Sequence, residues 1–506
     1  MTLTPDEQLR FWRAFADKID RGILETLEAI RLEAAEGALA EAAGRIHDEL
    51  LKSRSIAEAM AEVPDAFPPE VCRAVNLGEQ TGKLDEQALE IVAALEAGDL
   101  TLLGLDVMSK DMEPARGFTN ALILVAIQNG ASDIHIDPTE DGKGRVRLRV
   151  DGVLRDFEMP AEQDAPAWAP YDQVVSRVKV MAALDTAERR LPQDGRIMLN
   201  VSGRKVDLRV STVPALHGER VCMRILSREA VRLELERIGL LEDDLAKVRR
   251  LVGLPTGLVL ASGPTGCGKT TLFYSMLNEL DRDRCNVMSV EDPIEYDIEG
   301  VAQIAVRPQV GLTFARAARS VLRQDPDVIL IGEIRDTETA NVAAQCALTG
   351  HLVLTTLHAR TAAAGVKRLL DIGVAPFVVN GMLASVISQR LVRVLCSECK
   401  VETEPALHSL PPEAPDLIGQ MERPTFYAPR GCHACQGTGY RGRTSIHEIL
   451  IPDDAVRNVV ARSGSVQEIR EAALEAGMRS MLGCGLEKAA RGITSLQEVA
   501  RVVLGA

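Results

Sequence analysis

The sequence predicts an α/β protein that begins with an all-helical bundle, and three observations carry that prediction. Residues 1–100 read as helix throughout, with apolar side chains recurring at helical spacing. Residues 110–228 mix strand-like alternation with helical stretches, as a smaller α/β domain does. From about 229, short apolar strands alternate with helices, the pattern of a mostly parallel sheet covered on both faces.

In the first region Thr4, Pro5 and Glu7 form a capping box, with proline at the first helical position. Phe11, Phe15, Ile19, Ile23, Leu27 and Ile30 follow as an apolar stripe. The stripe reads as a bundle core rather than a membrane-surface helix. Turns are signalled at 65–69 and near Gly82. In the second region residues 145–150 alternate charged and apolar, and Asp151-Gly152 signals a hairpin. Further strands at 204–210 and 220–226 predict an antiparallel sheet. In the third region the strands are 257–261, 286–290, 327–331 and 352–356; cysteine pairs interrupt at 396–435, and helical patterns return from about 453.

The 506 residues leave room for about three domains. A net charge of −15 with only 3% aromatic residues leaves little for phosphate contacts or base stacking, so a nucleic-acid partner is not expected. No run of 18 apolar residues occurs, and the N-terminus MTLTPDEQ lacks the basic start and apolar run of a signal peptide. The expected place is the cytoplasm, with the membrane reached only through partners. Ten cysteines in such a chain point to metal ligands or buried thiols rather than disulfides.

Gly263-Pro264-Thr265-Gly266-Cys267-Gly268-Lys269-Thr270, followed by Thr271, matches the phosphate-binding loop. The glycines let backbone N–H groups converge on phosphates, Lys269 supplies charge to the β and γ phosphates, and the Thr270 hydroxyl reaches Mg²⁺. An apolar strand precedes the loop and a helix follows, whose N-terminus adds partial positive charge. Asp327-Val-Ile-Leu-Ile-Gly332-Glu333 supplies a strand ending in acid. Gly332 takes the usual place of a metal-binding aspartate, so Glu333 is expected to hold Mg²⁺ through water. Glu291, Asp292 and Glu295 crowd another strand end, and one of them is the natural base or orienter for attacking water. His351 and His358 flank the strand 352–356, where a side chain could sense the γ-phosphate or serve the structure alone.

Cys396-x-x-Cys399 and Cys432-x-x-Cys435 can each place two thiolates on a tight turn. Two such turns complete a closed, structural zinc site. Cys72, Cys222, Cys267, Cys285, Cys346 and Cys484 show no ligand spacing and read as buried thiols.

The boxes GPTGCGKTT, SVEDPIEY, DPDVILIGEIRD and TGHLVLTTLH occur in that order, with SDIHIDP, RLRVDGVL, RLPQDGRI and STVPALHGERVCMRIL upstream. Over residues 110–506 the chain resembles the type II/type IV secretion ATPase superfamily, specifically its assembly and secretion members. The resemblance implies a RecA-like motor domain with a zinc insert, joined to a sensory-type domain. It implies a homohexamer that hydrolyses ATP to power type II secretion or type IV pilus assembly at the inner membrane. A nucleotide-gated scaffold with little turnover is the alternative, and Lys269, Glu295 and Glu333 weigh against it. By the resemblance Glu295 activates water, Glu333 lies beside the metal, and Arg209, Arg224, Arg319 and Arg323 contact phosphates. Arg319 and Arg323 also fall at i, i+4 on a predicted helical face. The four-cysteine insert resembles that of the secretion and pilus-assembly members.

Residues 9–96 resemble something else: the cytoplasmic helical domain of the inner-membrane platform protein of the same systems. The matching stretch runs from Ser55 to Met60, then Phe67-Pro-Pro, then Leu77 to Glu86. The implied partners are that platform protein and the associated cytoplasmic membrane-complex proteins, with the fused bundle docking on the ring or the platform.

Overall fold

The computed structural model describes residues 3–505 except 20–21, 35–36, 53–54, 64–65, 69–70, 73, 76–78, 80–83, 97–113, 158–169, 202–203, 228–233 and 406. The expected turns at 65–69 and 82, the expected boundaries at 100, 110 and 228–229, and Leu77 and Gly78 lie wholly or partly outside the described residues. The chain divides into two compact units, Met1–Ala230 and Val231–Ala506.

The first unit opens with helices Pro5–Lys18, Ile23–Ala34, Ala38–Leu50, Ile56–Ala61 and Leu84–Glu96. The capping box is formed: Glu7 N–H donates to Thr4 Oγ1 at 3.3 Å and Thr4 N–H donates to Glu7 Oε2 at 2.8 Å. A second box joins Ser55 and Glu58. The apolar stripe spans two helices rather than one, with Phe11, Phe15, Leu27 and Ile30 buried and Ile19 and Ile23 partly so. Trp12, which the stripe omits, is fully buried and packs edge-on against Phe11 and Phe15.

The strands β1 (Ala131–Asp137), β2 (Arg145–Val150), β3 (Val153–Asp156), β4 (Gln193–Val201), β5 (Arg204–Ala215) and β6 (Gly218–Ser227) form one antiparallel sheet in the order β3-β2-β1-β6-β5-β4. Period-2 alternation gives it two unlike faces. Ile134, Leu148, Leu208 and Met223 pack with Phe118 and Val174 from helices Pro114–Gln128 and Tyr171–Met181. The opposite face carries the register-paired Arg209 and Arg224.

The second unit is built on β7 (Gly257–Ser262), β8 (Val287–Glu291), β9 (Val301–Ala305), β10 (Val328–Ile331), β11 (Leu352–Leu357), β12 (Leu383–Leu395) and, beyond the short pair β13 (Val401–Thr403) and β14 (Phe426–Ala428), β15 (Tyr440–Leu450). The seven-stranded order is β15-β12-β7-β11-β10-β8-β9. All neighbours are parallel except β12 and β15. Every residue of β7, β8, β10 and β11 is buried, which explains why their runs are mostly apolar. Leu258 and Leu260 face one core, Val259 and Ala261 the other. The sequence reading named no strand at 383–395 or 440–450, where Gln389, Arg390, His447 and Glu448 interrupt the apolar pattern yet are buried.

One of them, His447, belongs to a buried charged cluster. His447 Nε2 lies 2.9 Å from Asp244 Oδ2, and Arg479 and Lys247 donate to the same carboxylate at 2.6 and 2.8 Å. Burial alone raises the Asp244 pKa, but hydrogen bonds from His447 and Lys247 and the nearby cations overcome it. Its carboxyl is therefore held well below the usual range. The stability it adds is present above the unfolded-state value of about 4 and is lost as pH falls below it. Asp244→Ala is expected to destabilise the second unit by about 3 kcal/mol, because it strands buried cations. Thermal melting from pH 7 to pH 3 checks this; a variant that melts with the parent at pH 7 contradicts it. Among the remaining cysteines Cys267, Cys346 and Cys484 are buried, while Cys72, Cys222 and Cys285 are only half-buried.

Candidate functional site: the phosphate loop and its acids

The 263–271 loop leaves the carboxyl end of β7 and enters the helix Lys269–Asn278. Gly263 has φ +150° and Gly268 φ +90°, conformations that side chains rarely adopt. A Cβ on Gly263 would stand 2.5 Å from Cys267 Sγ, and one on Gly268 2.7 Å from Gln389 Nε2. The turn therefore tolerates only glycine at both places. Gln389, buried in β12, donates from Nε2 to the Cys267 carbonyl at 2.8 Å and braces the loop from behind. Arg390 lies beside it, donating to the Gln389 and Arg360 carbonyls at 3.0 and 2.7 Å.

Lys269 Nζ donates to the Gly263 and Pro264 carbonyls at 2.8 and 3.1 Å. Burial lowers its pKa, while Cys267 and Glu333 pull it back up. Thr270 is exposed and Thr271 half-buried at the first turn of the helix. The glycine cradle, the lysine and the exposed hydroxyl fit a nucleotide phosphate with its Mg²⁺.

Glu333 stands just past β10. Its Oε1 lies 3.2 Å from His358 Nε2, and its Oε2 accepts from Arg335 Nε at 3.0 Å. Arg335 also reaches Asp292, with NH1 3.7 Å from Oδ2. A Cβ on Gly332 would meet the Val290 carbonyl at 3.2 Å and the Phe314 ring at 3.3 Å, so an aspartate there would need its neighbours to give by a few tenths of an ångström.

The two histidines separate. His358 follows the carboxyl end of β11. His351 precedes Leu352, which pairs with Gly257 at the start of β7, so it sits at the sheet's other edge. Its Nδ1 lies 2.8 Å from the Cys346 carbonyl oxygen. The strand's six residues span about 20 Å. The structure does not bring His351 to the loop.

Glu291 is 4% exposed and accepts from Ser289 Oγ at 2.6 Å, from Gln303 Nε2 at 3.0 Å and from the Tyr274 hydroxyl. Glu295 is half-buried. Arg319 pairs with Glu338 at 2.8 Å. The helix Phe314–Val321 ends before Arg323, so the predicted i, i+4 face is not completed, and Arg323 instead donates to the Arg319 carbonyl at 3.1 Å. In the first unit Arg224 Nε donates to Asp133 Oδ1 at 2.9 Å, on the polar face it shares with Arg209.

Cys396, Cys399, Cys432 and Cys435 bring four sulfurs within 4.8 Å of one another. Cys432 N–H and Gly439 N–H donate to Cys435 Sγ at 3.2 and 3.1 Å. Such amide donors favour thiolate, and the donor set fits tetrahedral zinc with no open position.

The sequence reading did not single out Arg335, Gln303, Gln389 or Arg390. The available signal was a polar residue inside an apolar strand, as with Gln303 and Gln389, and a cation two places past the Glu333 acid.

A parallel sheet carrying this loop at its carboxyl edge, with an acid at the end of β10, defines a RecA-like P-loop fold. The chain belongs to the family described as type II/IV secretion system protein, whose model matches residues 108–501. Residues 18–98 match a second family model, type II secretion system protein F. The chain is 48% identical over 394 residues to type II secretion system protein HxcR of Pseudomonas aeruginosa, covering 78% of each. It is 47% identical over 396 residues to type II secretion system ATPase E of Vibrio cholerae, covering 78% of this chain and 76% of that one. Among solved structures, the pilus retraction motor PilT with bound ADP shares 26% identity at TM-score 0.50, over 75% of this chain and 94% of that one. The Legionella pneumophila ATPase DotB, at 20% identity and TM-score 0.55 over 79% and 99%, shares the fold. No helix among the described residues is long and apolar enough to cross a membrane.

Proposed function

We propose that the chain hydrolyses ATP at the 263–271 loop and works as a homohexameric motor for type II secretion or type IV pilus-type assembly. Its place in this reading is the cytoplasmic face of the inner membrane. The observation that carries the proposal is the joint placement of a glycine-only phosphate cradle, Lys269 and Glu333, with Lys269 feeling the Glu333 charge. Likeness to a protein named as a secretion ATPase supports it.

In this reading Lys269 leaves the Gly263 and Pro264 carbonyls for phosphate oxygens. The loop amides would hold the phosphates, and Thr270 and Glu333 are the residues that would hold Mg²⁺. Bound Mg²⁺ supplies positive charge against the phosphate oxygens. Glu295 orients the attacking water, since Glu291 is already engaged by three donors. Arg335 and His358 fix the Glu333 carboxylate. Arg209, Arg224, Arg319 and Arg323 offer cations to the developing charge. The four cysteines hold structural zinc.

Phosphate release with Mg²⁺ and ATP tests the motor reading. Glu295→Gln is expected to keep ATP bound and to lower release about 100-fold, within the range for general-base catalysis. Turnover within two-fold of the parent moves the role to another acid.

The N-terminal bundle, on this proposal, docks on the motor ring or on the platform protein and aligns the two. Its match to protein F supports that. Deleting residues 1–100 is expected to weaken hexamer formation or platform binding, measured by light scattering and pull-down. If both are unchanged, the bundle has no docking role.

A further inference from the structure

The segment between β8 and β9 carries Asp292 and Glu295, and one half-buried side chain ties it together. Gln303 sits in β9 opposite Ser289 of β8. Its Nε2 donates to Glu291 Oε1 at 3.0 Å and to the Tyr296 carbonyl at 3.0 Å. Its Oε1 accepts from Ile298 N–H at 2.9 Å. Both ends of the amide are used, and all three bonds fall on the stretch from Glu291 to Ile298. Few single side chains can impose such a shape: an amide carries donors and an acceptor in one rigid plane.

The same stretch is fastened to the phosphate loop's own helix. Tyr274, in Lys269–Asn278, donates its hydroxyl to Glu291, and its ring packs edge-on against Tyr296 with centroids 6.0 Å apart. Burial and the Glu291 hydrogen bond keep the Tyr274 phenol protonated and able to donate. Glu291 thus anchors the segment at one end, and Gln303 copies that anchorage to Tyr296 and Ile298, on either side of Asp297. Glu295 immediately precedes Tyr296.

We propose that Gln303 is a positioning residue for hydrolysis: it sets the shape of the 291–298 segment and through it the place of Glu295. This rests on the reading of Glu295 given above. Gln303 acts through that segment, its amide being engaged by Glu291, Tyr296 and Ile298. Its effect is on turnover and not on nucleotide affinity, which the loop and Lys269 govern. Displacing a catalytic group by about 1 Å can cost roughly 100-fold in rate.

The test measures ATP affinity and phosphate release separately for the full-length parent, Gln303→Leu, Gln303→Glu and Lys269→Ala. Gln303→Leu is expected to lower release roughly 100-fold with ATP affinity within about three-fold of the parent. Gln303→Glu keeps the size and the acceptor for Ile298, but sets a carboxylate against Glu291. Its release is expected to be low at pH 8 and to recover towards pH 6, where the introduced carboxyl regains a proton to donate. The parent lacks that recovery, and a merely structural role would show it as a melting temperature that falls and recovers with the release, whereas positioning leaves the melting temperature and ATP affinity near the parent's at both pH values. Release within three-fold of the parent in both variants overturns the proposal, as does an equal fall in affinity and release. If the parent releases no more phosphate than Lys269→Ala, the motor reading fails and this proposal with it, a result distinct from an active parent with active variants.

Discussion

Removing the metal from the four-cysteine site, or replacing Cys432 by serine, is expected to loosen the whole carboxyl-terminal part of the second unit. Cys396 follows β12 directly, and Cys435 stands five residues before β15. The insert between them is packed into the terminal helices: Leu410 and Phe426 share a core with Leu486, Leu496 and Val499. Polar ties run the same way. Lys400 donates to the Gly492 carbonyl at 2.8 Å, Arg393 pairs with Glu498 at 2.8 Å while lying over the Tyr440 ring, and Tyr440 bonds Ser495 at 2.6 Å. Glu498 is almost fully buried; burial raises its pKa, yet Arg501 and Arg393 bring it down to about 2, so it stays charged and needs those partners. Structural zinc contributes on the order of 10 kcal/mol in isolated fingers. Here the site is one tie among the β12–β15 ladder and the packing of the insert on the terminal helices, so a smaller loss, about 3 kcal/mol and a fall of about 10 °C in Tm, is expected. Metal analysis should find one zinc per chain, and a chelator should lower the melting temperature of the parent but not of Cys432→Ser. A metal-free protein that melts unchanged in both forms contradicts the assignment.

Lys269→Ala is expected to lower ATP affinity by roughly 30- to 150-fold, the equivalent of about 2–3 kcal/mol for a hydrogen bond to a charged group. The loop's backbone should survive the change, because its shape is set by Gly263, Gly268 and the Gln389 brace rather than by the lysine. Titration of a fluorescent ATP analogue checks this. An affinity within three-fold of the parent would mean that Lys269 stays on the Gly263 and Pro264 carbonyls when nucleotide binds.

What the sequence made legible follows from how strongly each element is patterned. β7, β8, β10 and β11 are buried on both faces, and their short, mostly apolar runs announced them to within a residue or two. The loop at 263–271 and the cysteine pairs were legible because their chemistry fixes residue types at fixed spacing. β12 and β15 were hidden because their interiors hold Gln389, Arg390, His447 and Glu448, each satisfied by tertiary partners that no local pattern reveals. The separation of His351 from His358 likewise needed the strand's direction and length: both histidines adjoin β11, but at opposite ends. Arg319 and Arg323 look like one helical face in the sequence, and the helix end at Val321, with Arg323 turned back onto the Arg319 carbonyl, could not be read there. Gln303 illustrates the general limit. Its role depends on a parallel pairing between β8 and β9 that brings Ser289 level with it.

The most direct test of the central claim is phosphate release by the purified chain with Mg²⁺ and ATP, beside Glu333→Gln, with the size of each protein measured in the presence of ATP. The account predicts a six-fold assembly that releases phosphate only with Mg²⁺, and a Glu333→Gln variant that assembles with ATP bound and releases none above background. ATP-dependent assembly of the parent with release no greater than that of the variant, even with the platform protein added, would contradict it and leave a nucleotide-gated scaffold.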